Sequence, residues 1–275
     1  MNTPTSPTIT FIGGGNMASA IVGGLLRQGH PAAAVQVVEP LDEQRARLAQ
    51  QFPGVALLPE SSALQNASDL VVWAVKPQTF KDAALAGQPQ LSGALHLSVA
   101  AGITSESIAT WLQTQRIVRA MPNTPALVGL GMTGLFARAG VGTADRALVE
   151  TVVKTTGELV WVAAEEHLDA VTALSGSGPA YVFYFLEAMR DAGARMGLPP
   201  DVAYRLAVGT FVGAATLAQR SDDPPQTLRE RVTSKGGTTH AALISMASAG
   251  VKEKFEEALF AAQKRAEELG REFGR

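Results

Sequence analysis

The segment Phe11-Ile12-Gly13-Gly14-Gly15-Asn16-Met17-Ala18 constrains this chain more than any other. It follows a short apolar run, Ile9-Thr10-Phe11-Ile12, and opens an apolar helical pattern. Gly13, Gly15 and Ala18 fill the three small-residue positions of the G-x-G-x-x-G/A pattern. The first permits a tight turn, the second lets a pyrophosphate approach the backbone, and the third lets helix and strand pack closely. Free N–H groups at the helix start then face the phosphate charge. Ile12, Gly13, Gly14, Gly15, Asn16, Met17 and Ala18 are therefore the expected dinucleotide contacts. A ligand-free strand–helix turn is the plainer alternative, and the placement between a strand and a helix argues against it.

A fingerprint of this kind sits in a parallel sheet, and the first half of the chain supplies the strands. They are expected at 8–12, 35–39, 70–75, 94–99, 116–120, 132–137 and 159–162, with helices at 17–28, 42–51, 105–113 and 143–155. Runs such as Leu70-Val-Val-Trp-Ala-Val75 are almost continuously apolar, as strands covered on both faces must be. After Ala163 strand patterns cease, and helices are expected at 165–174, 179–196, 200–219, 225–232, 239–247 and 251–271. Pro179 and Pro200 stand where a proline opens a helix at little cost. The expected class is α/β. A doubly wound parallel (Rossmann) sheet over residues 1–163 precedes an all-helical domain over 164–275.

In such a sheet, ligands bind beyond the carboxyl ends of the strands. Glu39 ends the second strand, where a carboxylate can accept hydrogen bonds from ribose hydroxyls and repel a 2′-phosphate; a solvated surface charge is the alternative. Ala74, Val75, Lys76 and Pro77 form the next such end, with Pro77 expected to stop pairing and aim a loop. Ala100 and Ala101 offer small side chains beside which a nicotinamide can lie.

Composition excludes several classes. Net charge is −2, from 23 basic and 25 acidic residues, so neither nucleic acid nor a membrane surface is an expected partner. The chain has no cysteine, which removes disulfides and thiolate chemistry and fits a reducing cytoplasm. The polar start, residues 1–8, lacks the pattern of a signal peptide. The apolar stretch 206–219 is shorter than the roughly 18–20 residues of a bilayer span and reads as a buried helix. His30, His96 and His167 show no metal-ligand spacing, and no metal is expected.

Three further stretches are unusual: Met121-Pro-Asn-Thr-Pro-Ala126, Leu174-Ser-Gly-Ser-Gly-Pro-Ala-Tyr181 and Val232-Thr-Ser-Lys-Gly-Gly-Thr-Thr239. In the third, Gly236 and Gly237 lead into a helix start at Thr238 and Thr239, which suits an anion; a capped Gly-Gly linker is the alternative. Thr239 and Ser234 bring hydroxyls that donate to or accept from a ring nitrogen. With the glycine fingerprint and Ala-Val-Lys-Pro, all in this order, the chain resembles the pyrroline-5-carboxylate reductases over nearly its whole length.

The resemblance implies hydride transfer from NADPH or NADH to the ring imine of 1-pyrroline-5-carboxylate, forming proline. It implies that Gly236, Gly237 and Thr238 hold substrate, that Thr239 bonds the imine nitrogen with Ser234 in support, and that Asn123 lies at the cofactor. Ser177 is expected on the floor of the substrate site, with a plain N-cap of the following helix as the alternative. The family also implies a homodimer through the helical domain, with rings of dimers as a higher state. It commonly uses NADPH, whereas Glu39 leans towards NADH. Leu130 replaces a glutamate that many members carry, and no role is assigned to it. His240 lies about 100° around the helix from Thr239, so it is not expected to reach the same atom. A 3-hydroxy-acid dehydrogenase would want a lysine on the helix after Pro179, and 179–186 offers none; a non-catalytic scaffold would not need Ser234 to Thr239.

Overall fold

The computed structural model describes residues 6–273, so the first residues of the polar start lie outside it. The strands are β1 (Ile9–Ile12), β2 (Val35–Val38), β3 (Ala56–Leu58), β4 (Leu70–Trp73), β5 (Leu95–Ser98), β6 (Ile117–Met121), β7 (Gly131–Ala137) and β8 (Gly157–Trp161). They form one sheet in the order β3-β2-β1-β4-β5-β6-β7-β8. Every neighbouring pair is parallel except β6 and β7. The helices interleaved with them are α1 (Asn16–Arg27), α2 (Asp42–Gln51), α3 (Pro77–Leu91), α4 (Ser105–Leu112) and α5 (Thr143–Val153). All four residues of β1, β2, β4 and β5 are buried, as their apolar runs require. One face carries Ile21 and Val22 of α1 with Val149 and Val152 of α5. The other carries Phe80 and Ala84 of α3 with Ile108 and Leu112 of α4, around Trp73.

Two elements escape the sequence reading. The edge strand β3 is only three residues long, too short for a two-residue period to show. Pro77 does not aim a loop; it is the first residue of α3. A proline there loses no hydrogen bond, because its N–H would have been an orphan donor. Phe80, Ala84, Gly87 and Leu91 then make the buried stripe of an amphipathic helix.

The remaining helices are α6 (His167–Val171), α7 (Gly178–Arg195), α8 (Pro200–Gln219), α9 (Pro225–Arg231), α10 (Thr238–Ser248) and α11 (Val251–Phe273). The chain divides into two compact units, one running to Ser177 and resuming at Ala262, the other Gly178–Ala261. The sheet unit thus extends past residue 163, where strand patterns end. Leu168 is buried in it, and the Glu165 side chain bonds Ser105 and Arg119. Between α6 and α7, residues Thr172–Gly176 wind as a π-helical turn instead of a continuous helix, with the Ser177 amide donating to the Thr172 carbonyl at 2.8 Å. In the helical unit, α7 and α8 approach closely at Gly193, where a Cβ would lie 2.6 Å from that of Ala203. Leu206, Val212 and Leu217 of α8 are exposed, with Phe183 and Tyr184 of α7.

One buried group makes stability depend on pH. The Trp73 indole donates to His96 Nδ1 at 3.1 Å, and the Nε2–H faces the Leu91 carbonyl without reaching hydrogen-bond geometry. Burial, aided by the charge of Arg116, lowers the His96 pKa from 6.5 to about 4. The folded protein therefore binds fewer protons than the unfolded chain between these two values, and stability rises with pH there. The stabilisation is whole above pH 6.5 and lost by about pH 4, a span of at most about 3 kcal/mol. Urea midpoints from pH 7 to 4 at fixed protein concentration should fall more steeply for the wild type than for His96→Gln. Parallel curves would show that His96 does not titrate on unfolding.

Candidate active site

The turn after β1 is held from both sides. The Gly13 amide donates to the Val38 carbonyl at 2.8 Å, and its φ is +96°. A Cβ there would lie 2.7 Å from the Ala74 carbonyl oxygen, so only glycine fits. Gly15 is the N-cap of α1, with no side chain bonded to the helix start and nothing within 4 Å of where its Cβ would be. Open space and uncapped N–H groups are what a pyrophosphate needs. Ala18 is buried against the sheet. Gly14 is closed off by Leu48, whose Cδ1 would lie 2.6 Å from a Cβ.

Glu39 turns inward beneath this loop. Its carboxylate accepts from the Gly14 amide at 2.9 Å and from the Leu41 amide at 3.0 Å. Gln44 donates to the Gly14 carbonyl at 2.6 Å, tying α2 to the same turn. Arg45 folds back to the Glu39 carbonyl at 2.6 Å while pairing with Asp42, and Arg47 pairs with Glu43 at 2.6 Å.

Beyond β4, Lys76 is exposed and is the N-cap of α3. Ala100 and Ala101 follow β5 in a tight turn that ends at Gly102, whose φ is +75°. The Asn123 side chain, beyond β6, is committed internally. Its amide donates to Ser175 Oγ at 3.2 Å and to the Ser175 carbonyl at 3.3 Å, and its oxygen accepts from the Met132 amide at 2.9 Å. Asn123 thus fastens the Ser175–Ser177 segment to the sheet. Gly176 packs against Met121, whose methyl a Cβ at that position would meet at 2.5 Å and displace.

The helical unit carries the other group of expected residues. α10 starts at Thr238 with Gly237 as N-cap and no side-chain cap. Gly236 has φ +77°, and the Gly237 amide closes the turn on the Ser234 carbonyl at 3.0 Å. Ser234 Oγ would lie 2.6 Å from a Gly237 Cβ, so a side chain at that position would displace the serine hydroxyl. Thr238 and Thr239 are exposed in the first turn. His240 faces a groove of about 350 Å³ with Arg229 and Glu230 of α9.

The chain is 43% identical over 272 residues to the pyrroline-5-carboxylate reductase of Pseudomonas aeruginosa, covering 98% of this chain and 99% of that one. It is 40% identical to that of Haemophilus influenzae, covering 95% of this chain and 97% of the relative. This chain belongs to the pyrroline-5-carboxylate reductase family. The family model for pyrroline-5-carboxylate reductase dimerisation matches residues 165–269, and one for coenzyme F420-dependent NADP oxidoreductases matches 8–102. The solved structure of a pyrroline-5-carboxylate reductase from Coxiella burnetii superposes with a TM-score of 0.90 at 38% identity, covering 96% of this chain and 98% of that one. That of Plasmodium falciparum pyrroline carboxylate reductase, with NADP bound, gives 0.85 at 27%, covering 97% and 99%.

In this pyrroline-5-carboxylate reductase family member, the groups that brace the turn after β1 and the start of α4 differ in how far the sequence announces them. Gln44 carries no signal, because a polar residue on an exposed helix is ordinary. Arg45 and Arg47 could offset a 2′-phosphate's charge only by folding back over the adenosine, and both are instead paired, Arg45 with Asp42 and Arg47 with Glu43. Arg119 does carry a signal: a charge inside the apolar run Ile117–Met121 needs a buried partner. That partner is Glu165, at 2.8 Å. Burial pushes the Glu165 carboxyl up, but hydrogen bonds from Ser105 and Arg119 outweigh it and hold the pKa below the ordinary value. Among the described residues, no three His, Asp or Glu side chains come together as a metal site, and no helix is long and apolar enough to cross a membrane.

Proposed function

We propose that this chain performs the reaction its family is named for, passing a hydride from NAD(P)H to the ring imine of 1-pyrroline-5-carboxylate to give proline. The near full-length match carries this reading, joined to a cradle at Gly13–Ala18 whose backbone leaves room for a pyrophosphate. The open N–H groups at the start of α10 suit the substrate carboxylate, with Gly236, Gly237 and Thr238 forming its seat. The Thr239 hydroxyl donates to the imine nitrogen, and Ser234 supports the turn that aims it. Ser177 follows the π turn as part of the substrate floor. Bound reduced nicotinamide supplies the hydride. The neutral imine nitrogen accepts from Thr239 and is basic enough to gain its proton from water near neutral pH, so hydride and proton are both accounted for and no strong acid is needed. We assign the reaction to the cytoplasm.

A coupled assay of nicotinamide oxidation with the cyclic imine tests the reaction directly. Thr239→Ala should reduce kcat/KM by the equivalent of about 1–3 kcal/mol while dinucleotide affinity stays within about twofold. An unchanged kcat/KM would remove Thr239 from the mechanism.

Cofactor choice follows from the charges at the end of β2. Glu39 sits beneath the turn with lone pairs left for ribose hydroxyls, and both nearby arginines are paired, Arg45 with Asp42 and Arg47 with Glu43. A 2′-phosphate within about 4 Å of the carboxylate is disfavoured by about 1–4 kcal/mol. NADH is therefore used at least as well as NADPH. Steady-state kinetics with both cofactors should show Glu39→Ser shifting preference towards NADPH. A wild type preferring NADPH by about tenfold or more would take Glu39 away from the 2′ position.

The matched dimerisation domain and the exposed apolar face of α8 support a homodimer built by the helical unit. Rings of such dimers are the larger assembly we assign. Sedimentation at low micromolar concentration should give no folded monomer, and a well-folded monomer there would refute the dimer.

A further inference from the structure

The turn that follows β5 is gripped on two sides. On one side is Glu165, which reaches from beyond β8 to the start of α4. Its carboxylate accepts from the Ser105 amide at 2.6 Å and from the Ser105 hydroxyl, while Arg119 of β6 donates to it at 2.8 Å. Arg138 of the loop after β7 adds a bond to the Ser105 hydroxyl at 3.2 Å. Thr104 caps α4 by accepting from the Ser107 amide at 3.1 Å. The exit from the turn is thereby fixed to β6, β7 and α6's approach at once.

On the other side are the last turns of α11, which belong to the sheet unit. Leu269 presses on Gly102, where a Cβ would stand 3.3 Å from its backbone carbon, its Cβ and its carbonyl oxygen. Gly102 is also at φ +75°, which disfavours any side chain. Beside this contact Ile103 is wholly buried, in the cluster against which Phe273 of α11 packs.

We propose that Glu165 and the Gly102–Leu269 contact are a two-sided clamp that positions the Ala100–Ala101 turn beneath the nicotinamide. The proposal rests on the reading that Ala100 and Ala101 face that ring. Its physical basis is that hydride transfer depends on near-attack placement, so a displacement of about 1 Å in the support of the ring is costly in rate. The adenosine half of the cofactor is held elsewhere, at Gly13–Ala18 and Glu39, and should not sense the clamp. Glu165 and Gly102 are positioning residues, touching neither substrate nor ring.

The test compares wild type, Glu165→Gln, Gly102→Ala and Ala101→Val in the full-length chain. ADP-ribose, which lacks the nicotinamide, is titrated to count folded sites and to give the affinity of the adenosine half; kcat is then expressed per ADP-ribose site. Expected for both clamp variants is a fall in kcat of about tenfold or more with the ADP-ribose Kd within about twofold of wild type. Either clamp variant retaining wild-type kcat overturns the clamp, as does a loss of ADP-ribose affinity in step with kcat, which would mark general unfolding of the unit. Ala101→Val separates the two layers of the argument. If it lowers kcat while the clamp variants do not, the turn faces the ring but needs no clamp. If it changes nothing, the turn does not face the ring and the underlying reading falls with the proposal.

Discussion

The approach of the turn after β1 to the end of β4 is the constraint on which the rest of the structure depends. Position 13 has room for a hydrogen and nothing more, because the Ala74 carbonyl oxygen occupies the place of a side chain. The same residue's amide is bonded to the end of β2. β1 therefore delivers its turn between its two neighbours, β2 and β4. From that point α1 covers one face of the sheet while α3 covers the other. Connections that leave in opposite directions part the loops and open a crevice at the carboxyl ends of the strands. The dinucleotide cradle is thus a consequence of sheet order as much as of glycine content.

The helical unit obeys a different economy. Its longest apolar helix, α8, buries Ala203 and Ala207 but leaves Leu206, Val212 and Leu217 to solvent. A unit of this size has too little interior to cover helices that are apolar on several sides. Exposed area of this kind is stabilised only when another surface is brought against it. The match to a dimerisation domain over residues 165–269 places that demand on the same residues. In this unit the apolar surface specifies assembly, whereas in the sheet unit it specifies the core.

Legibility in the sequence divided along the same physical lines. Where a structural role depends on nearby residues, the pattern announced it: buried parallel strands as continuous apolar runs, Gly13 and Gly15 in the fingerprint, Gly236 and Gly237 before α10. Where a role depends on partners distant in the chain, the pattern was silent. Glu165 and Ser105 are bonded across 60 positions, and Asn123 and Ser175 across 52, and neither pair shares any local signature. Asn123 shows the cost of this. Its side chain bonds Ser175 and Met132, and nothing in the motif around it announces either partner. Pro77 shows the reverse: proline was read as a stop, yet at a first helical position it is a start.

Three ionisable groups of the sheet unit, Arg119, Glu165 and His96, also say what kind of chemistry they leave to others. Arg119 and Glu165 satisfy each other and Ser105, and Glu165 is held ionised below its ordinary range by those bonds. His96 is kept neutral by burial and gives its Nδ1 to Trp73. A general acid or base must exchange a proton with the reactant near neutral pH. None of these groups is poised to do so, since one is fixed in its charged form and another in its neutral form. Their energy goes into holding loops. Such an arrangement suits a reaction in which the hydride comes from a bound dinucleotide and the imine brings its own basicity. What the protein must then contribute is placement, and the bonds converging on the turn after β5 are the structural form that contribution takes.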